Sequence, residues 1–184
     1  QRAAPLIMSA PRLIIMGVSG CGKSTVGARL GARTGIPFIE GDTLHPPRNV
    51  ALMASGTPLT DEDRAGWLDD IASRFYALPT GAGLIISCSA LKRKYRDRLR
   101  AACPDLRFIH LHGTKALLEE RLQYRTGHYM PPSLLTSQLQ TLEPPHPDEF
   151  AITLDIALPT EELVMHIEQQ LQLQVAEPAS HPSH

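Results

Sequence analysis

The sequence predicts a three-layer α/β fold with a central parallel five-stranded sheet and a helical lid. Three features point to it. A short apolar run, Leu13–Met16, passes through glycine-rich sequence into helical periodicity from Ser24, and a second short apolar run, Pro37–Glu40, follows directly. Two strands joined by a helix need a crossover connection, so they lie parallel. Short apolar runs then keep alternating with amphipathic stretches to residue 175.

The elements follow in order. Val26 and Leu30, four apart, mark the buried side of the first helix, which Gly35 ends. A helical stretch from Asn49 to Ser55 stops at Gly56, and Thr60-Asp61-Glu62-Asp63 has the capping residue and first-turn acids of a helix start. Trp67, Leu68, Ile71, Phe75 and Leu78 share one face of that helix. Leu84–Cys88 is a third strand, continuous in apolar residues as a strand covered on both faces should be. A basic helix, Leu91–Arg100, leads to a fourth strand, Leu106–Leu111, and a helix, Lys115–Arg125. Phe150–Asp155 is the fifth strand, before a last helix from Glu161 to about Val175. Residues 126–148 differ in texture: five prolines flank a helical piece, Ser133–Leu142, which reads as a mobile cover, the lid. The domain is expected over residues 12–175, with 1–11 and 176–184 as flexible termini.

Composition narrows the function classes. Lys plus Arg number 18 against 19 for Asp plus Glu, a net charge of −1, which argues against a globally basic nucleic-acid binder. Cys21, Cys88 and Cys103 are odd in number and far apart, without zinc-type spacing, so a reducing, cytoplasmic setting is expected. No apolar run approaches the ~18–20 residues of a membrane span. Gln1–Ala10 lacks the pattern of a secretory signal, and Met8 reads as a natural start with residues 1–7 upstream of it.

Gly17-Val18-Ser19-Gly20-Cys21-Gly22-Lys23-Ser24 matches GxxxxGK[ST] between a strand and a helix, which is the context a P-loop requires. Glycines there let successive N–H groups face one concavity and hold phosphate oxygens, and the helix dipole adds attraction. Lys23 can reach the β- and γ-phosphates, and the Ser24 hydroxyl can ligate Mg²⁺. The third strand ends in Ser87-Cys88-Ser89, without the acid that often ends such a strand. Glu40 and Asp42 lie instead at the carboxyl end of the second strand, where ligands of open α/β sheets collect. Glu40 is assigned to Mg²⁺ through water, and Asp42 to accepting a proton from the attacking substrate hydroxyl. Ordinary capping or solvated acids are the alternative for both.

These stretches resemble the small gluconokinases of the adenylate kinase-like group of P-loop folds. The resemblance rests on MGVSGCGKST at Met16–Thr25, GDTLHPPRNVALMASGTPLTDEDRAGWL at Gly41–Leu68, CSALKRKYRDRLR at Cys88–Arg100 and RTGHYM at Arg125–Met130. It implies transfer of the ATP γ-phosphoryl group to the 6-hydroxyl of D-gluconate, giving 6-phosphogluconate, with ATP and Mg²⁺ as cofactors. It also implies an ATP site running through Thr25, and a homodimer. By the same resemblance Arg121 lies against adenine and Arg125 reaches the phosphates; Gly127 reads as a hinge, and His128 as a phosphate contact grouped with the substrate-binding residues. An exposed ion pair within its own helix is the alternative for Arg121.

An anionic polyol needs cations for its carboxylate, and His45, Arg48, Arg64, Lys92 and Arg96 all lie in the matching stretches. Arg64 sits early in a helix, where the dipole disfavours a cation and an anionic ligand would explain it. Trp67 reads equally as a core aromatic or a wall of the site, and His45 equally as a turn residue before Pro46-Pro47 or a substrate contact. The basic run Lys92–Arg100 spreads around a helix, with Lys92 and Arg96 turned inward, and lacks the aromatic interleaving of a nucleic-acid surface. His110 and His112 alternate on a strand without a third metal ligand. The rival readings are a kinase of another small hydroxy acid, such as shikimate, and a nucleotide-binding regulatory or nucleic-acid-associated module.

Overall fold

The computed structural model describes residues 10–123 and 132–173. In chain order these form β1 (Arg12–Met16), α1 (Lys23–Thr34), β2 (Phe38–Glu40), α2 (Pro47–Ala54), α3 (Asp61–Tyr76), β3 (Leu84–Ser87), α4 (Arg93–Ala102), β4 (Arg107–His112), α5 (Lys115–Gln123), α6 (Pro132–Thr141), β5 (Ile152–Asp155) and α7 (Thr160–Leu171). Short 3₁₀ turns occupy Gly41–Leu44 and Pro147–Glu149. The five strands are parallel in the order β2-β3-β1-β4-β5.

Strand β1 shows why three layers form. Its side chains alternate, so Leu13 and Ile15 pack on one face with Val26 and Leu30 of α1 and Leu163, Val164 and Ile167 of α7. Ile14 and Met16 pack on the other with Trp67, Leu68, Ile71 and Phe75 of α3 and Tyr95 and Leu99 of α4. Both faces are covered, as a parallel sheet requires. The chain leaves β1 for β2 at the sheet edge, comes back to β3, and then passes β1 to reach β4 on the other side. The carboxyl end of β1, where the glycine-rich loop begins, is therefore the topological switch point.

Several boundaries differ from expectation for physical reasons. Lys92 is extended and caps α4, so Leu91 belongs to the preceding loop. Phe150 has a left-handed backbone (φ +53°) closing the 3₁₀ turn, so β5 starts at Ile152. Gln172, also left-handed, caps α7 after Leu171, and Val175 lies outside the described residues. Ala10 and Pro11 are tied in rather than loose: the Ala10 amide donates to Gly81 O and Pro11 O accepts from Leu84 N. The rest of both expected flexible termini lies outside the described residues.

The helical piece of the expected lid, α6, is docked against the body of the protein. Leu135 is fully buried, and Leu139 and Leu142 pack on the same core cluster, an apolar face spaced by four and three residues. Its C-terminal end is held where Glu143 N donates to Leu91 O (2.7 Å) and Glu143 Oε1 accepts from Arg93 N (3.0 Å). No helix among the described residues is long and apolar enough to cross a membrane.

Candidate active site

Residues 17–24 make the turn that joins β1 to α1. Gly22, with φ +91°, is the N-cap of α1, a left-handed conformation that costs glycine little. It lets α1 start abruptly, leaving the first amides of the helix without carbonyl partners inside it. The Gly17 N–H donates to Ser89 O (3.3 Å), tying the loop to the segment after β3, while Val18 and Cys21 are buried beneath it. Lys23 Nζ lies over the loop, donating to Gly17 O (2.9 Å) and Val18 O (3.1 Å). Thr25 is exposed on the next residue of the helix. The Ser24 hydroxyl donates to the Glu40 carboxylate, so two hard oxygen donors meet at the mouth of the loop, a set that suits Mg²⁺.

Beside the loop lies a cavity of about 360 Å³ between the carboxyl ends of β1, β2 and β3 and the helices α2, α3 and α6. Lys23, Asp42, His45 and Arg64 line it, with Trp67, Ser19, Ser89 and the α6 residues Ser137, Gln138 and Thr141. Delivery of Asp42 depends on Gly41. A Cβ at Gly41 would stand 2.1 Å from Ser87 O, so the chain can cross the end of β3 this closely only without a side chain. The contact is fixed from both sides, by Gly41 N donating to Ser87 Oγ (3.3 Å) and Trp67 Nε1 donating to Gly41 O (2.8 Å).

His45 stacks on Trp67, with ring centroids 4.0 Å apart and planes 15° from parallel. Its Nδ1 accepts from Asn49 Nδ2 (3.3 Å), which assigns the neutral ring's proton to Nε2. Burial, outweighing nearby Asp42, lowers the pKa of His45 and favours that neutral form. Trp67 thus fills both roles open to it, a buried core aromatic and a wall of the site. Arg64 is steadied by Tyr95, donating to its hydroxyl (3.0 Å) and lying 5.5 Å from the ring centre. Tyr95 in turn donates to Asp61, which also accepts from Lys92 and Lys94; these bonds hold Asp61 well below the usual carboxylate range.

The other expected cations stand elsewhere. Arg48 is exposed and pairs with Asp63 (3.3 Å), whose own pKa is lowered by hydrogen bonds at Thr60. Lys92 is engaged with Asp61. Arg96 is fully buried, clasping both oxygens of buried Glu149 (2.7 and 3.1 Å) and donating to Ala90 O (2.9 Å). It turns inward as expected but meets protein rather than the cavity, and it braces the loop at Ala90, whose φ is +45°. Arg121 donates to Ile156 O, on the loop after β5. Arg125, Gly127 and His128 lie outside the described residues. The polar α6 residues Ser137, Gln138 and Thr141 are an unexpected part of the site. Their three-and-four spacing was the available signal, hidden by reading the whole segment as a cover.

Residues 13–145 match the family described as AAA domain. The chain is 46% identical over 168 residues to a gluconokinase of Gluconobacter oxydans, covering 86% of this chain and 92% of the relative. It is 42% identical over 162 residues to the thermosensitive gluconokinase of Escherichia coli, covering 84% and 86%. The crystal structure of a gluconokinase from Sinorhizobium meliloti superposes with a TM-score of 0.82 at 46% identity, covering 89% of this chain and 93% of that one.

Proposed function

The chain belongs to the gluconokinase family, and from that premise we infer that it transfers the γ-phosphoryl group of ATP to the 6-hydroxyl of D-gluconate, giving 6-phospho-D-gluconate. One observation carries the reading best: a single cavity joins Lys23 of the P-loop to Asp42, His45 and Arg64, so a phosphoryl donor and an anionic polyol can share it.

In this reading the loop of residues 17–25, through the amides not already bonded to Ser89 O or Val18 O, and Lys23 hold the β- and γ-phosphates. Mg²⁺, held by Ser24 and, through water, by Glu40, would offset the phosphate charge. The acceptor carboxylate faces Arg64, and Trp67 with neutral His45 walls the polyol, His45 donating through Nε2. Asp42 takes the proton of the 6-hydroxyl as its oxygen bonds to the γ-phosphorus; the bond to the β,γ-bridging oxygen breaks and ADP leaves. Arg48, Lys92 and Arg96 serve the acceptor indirectly, by holding α3 and the Ser89–Leu91 loop. Arg121 and Arg125 are assigned to the nucleotide, on the adenine and phosphate sides, and His128 to the acceptor end.

Purified protein with ATP, Mg²⁺ and gluconate should yield 6-phosphogluconate in a coupled assay. Equal ADP release without gluconate, or a preference for another small hydroxy acid in a panel, would refute the substrate. The ATP requirement and three free cysteines fit a cytoplasmic setting. For the homodimer, sedimentation equilibrium should return the mass of two chains, and a single-chain mass would refute it.

A further inference from the structure

Helix α6 reaches the phosphate loop through one side chain. Gln138 Oε1 accepts from the Ser19 backbone N–H at 2.7 Å, a long-range contact linking α6 directly to the loop that holds Lys23. Its carboxamide NH₂ makes no hydrogen bond among the described residues, although the side chain lines the cavity beside Ser137 and Thr141. The helix beneath it is fixed, because Leu135 is fully buried and Glu143 is tied to Leu91 and Arg93. A carboxamide offers a donor and an acceptor side by side, the complement of a sugar hydroxyl.

Resting on the gluconate reading, we propose that Gln138 is a specificity-determining residue of the acceptor site and couples that site to the nucleotide. One amide N–H cannot fully serve both Gln138 and a phosphoryl oxygen, so nucleotide binding takes Ser19 N–H from Gln138. The freed carboxamide then presents both its oxygen and its NH₂ to the acceptor hydroxyls. ATP is thereby opposed by Gln138, and gluconate is favoured by it.

The two ligands should respond in opposite directions to Gln138→Met, which keeps the length of the side chain but removes both polar atoms. The Kd for MgATP, read by calorimetry without gluconate, should fall about threefold to tenfold, and the KM for gluconate should rise by a similar factor, the range of one ordinary hydrogen bond. Gln138→Glu keeps an acceptor for Ser19 N–H and adds repulsion toward phosphate, so its Kd for MgATP should rise instead. If both variants weaken both ligands, Gln138 serves only the packing of α6 and the proposal falls. An unchanged gluconate KM in Gln138→Met also overturns it, provided the wild-type chain phosphorylates gluconate. Failure of the wild-type chain to do so overturns the underlying reading instead.

Discussion

Gly41 and Asp42 show how one residue's lack of a side chain sets another's position. With Ser87 O only 2.1 Å from where a Cβ would stand, Gly41→Ala must push β2 from β3 or turn the Gly41–Leu44 segment. It should cost about 1–3 kcal/mol in urea unfolding and lower kcat through displaced Asp42. Asp42→Asn separates the effects: kcat should fall by about a hundredfold or more, with stability changed by no more than about 0.5 kcal/mol, because Asp42 is exposed. Near-normal turnover in Asp42→Asn would remove it as the base. The place of Asp42 on the cavity was legible in the sequence because a carboxylate after a strand lands at the edge where ligands collect. Gly41's role was not, because its clearance follows from the Glu40–Ser87 register of β2 against β3, which no local pattern encodes.

At the scale of elements, α3 carries Arg64 and Trp67 to the cavity, and α4 supports it from behind; both helices are held by charge. Thr60 and Asp63 form a reciprocal capping box at the start of α3, as the sequence indicated, and this sets the helix that presents Arg64 and Trp67. The inward turn of Arg96 was also legible. Its partner was not, since Glu149 is 53 residues away and the pair forms only when the 3₁₀ turn at Pro147–Glu149 closes over α4. Burial alone would raise the Glu149 pKa, but bonds from Arg96, the His146 backbone and Arg100 bring it down to about 2. Arg96→Met leaves Glu149 buried with one cation fewer and Ala90 unbraced, and should cost about 3–5 kcal/mol in denaturant unfolding. Exposed Arg48→Ala should cost no more than about 1 kcal/mol. Similar losses from the two would show that the buried clasp is not a major support.

The whole molecule should lose stability to acid in two windows. His110, nearly fully buried on β4 with Nδ1 unpartnered among the described residues, has its pKa lowered to about 4, chiefly by burial and further by His112 and Arg96. An unfolded histidine titrates near 6.5, so the unfolded state binds the extra proton between about 6.5 and 4, and stability falls as pH drops through that range. The His110 contribution lost by pH 5 is about 1–2 kcal/mol. Glu149 adds a second loss between about 4.5 and 2, where its unfolded form takes up a proton that the folded form does not. Urea titrations at a series of pH values should show both, and His110→Leu should shrink only the upper one, to which His45 also contributes; an unaltered upper window would exclude His110 as a source. The layered fold was legible at this scale because strand and helix periodicities alternate cleanly. The docking of α6 was less so, because Leu135, Leu139 and Leu142 pack on a core assembled from distant segments, which the local pattern of a proline-flanked helix does not encode. Trp67 is the sole tryptophan of the 184 residues, and it stands face to face with His45 at the cavity wall. The cavity therefore carries its own fluorophore. Emission should dim as acid protonates His45, with a midpoint below 6.5, and should shift in a saturable way as gluconate is titrated in, reporting acceptor occupancy without a label or a coupled enzyme. A flat response to gluconate would mean that the acceptor leaves this ring pair untouched.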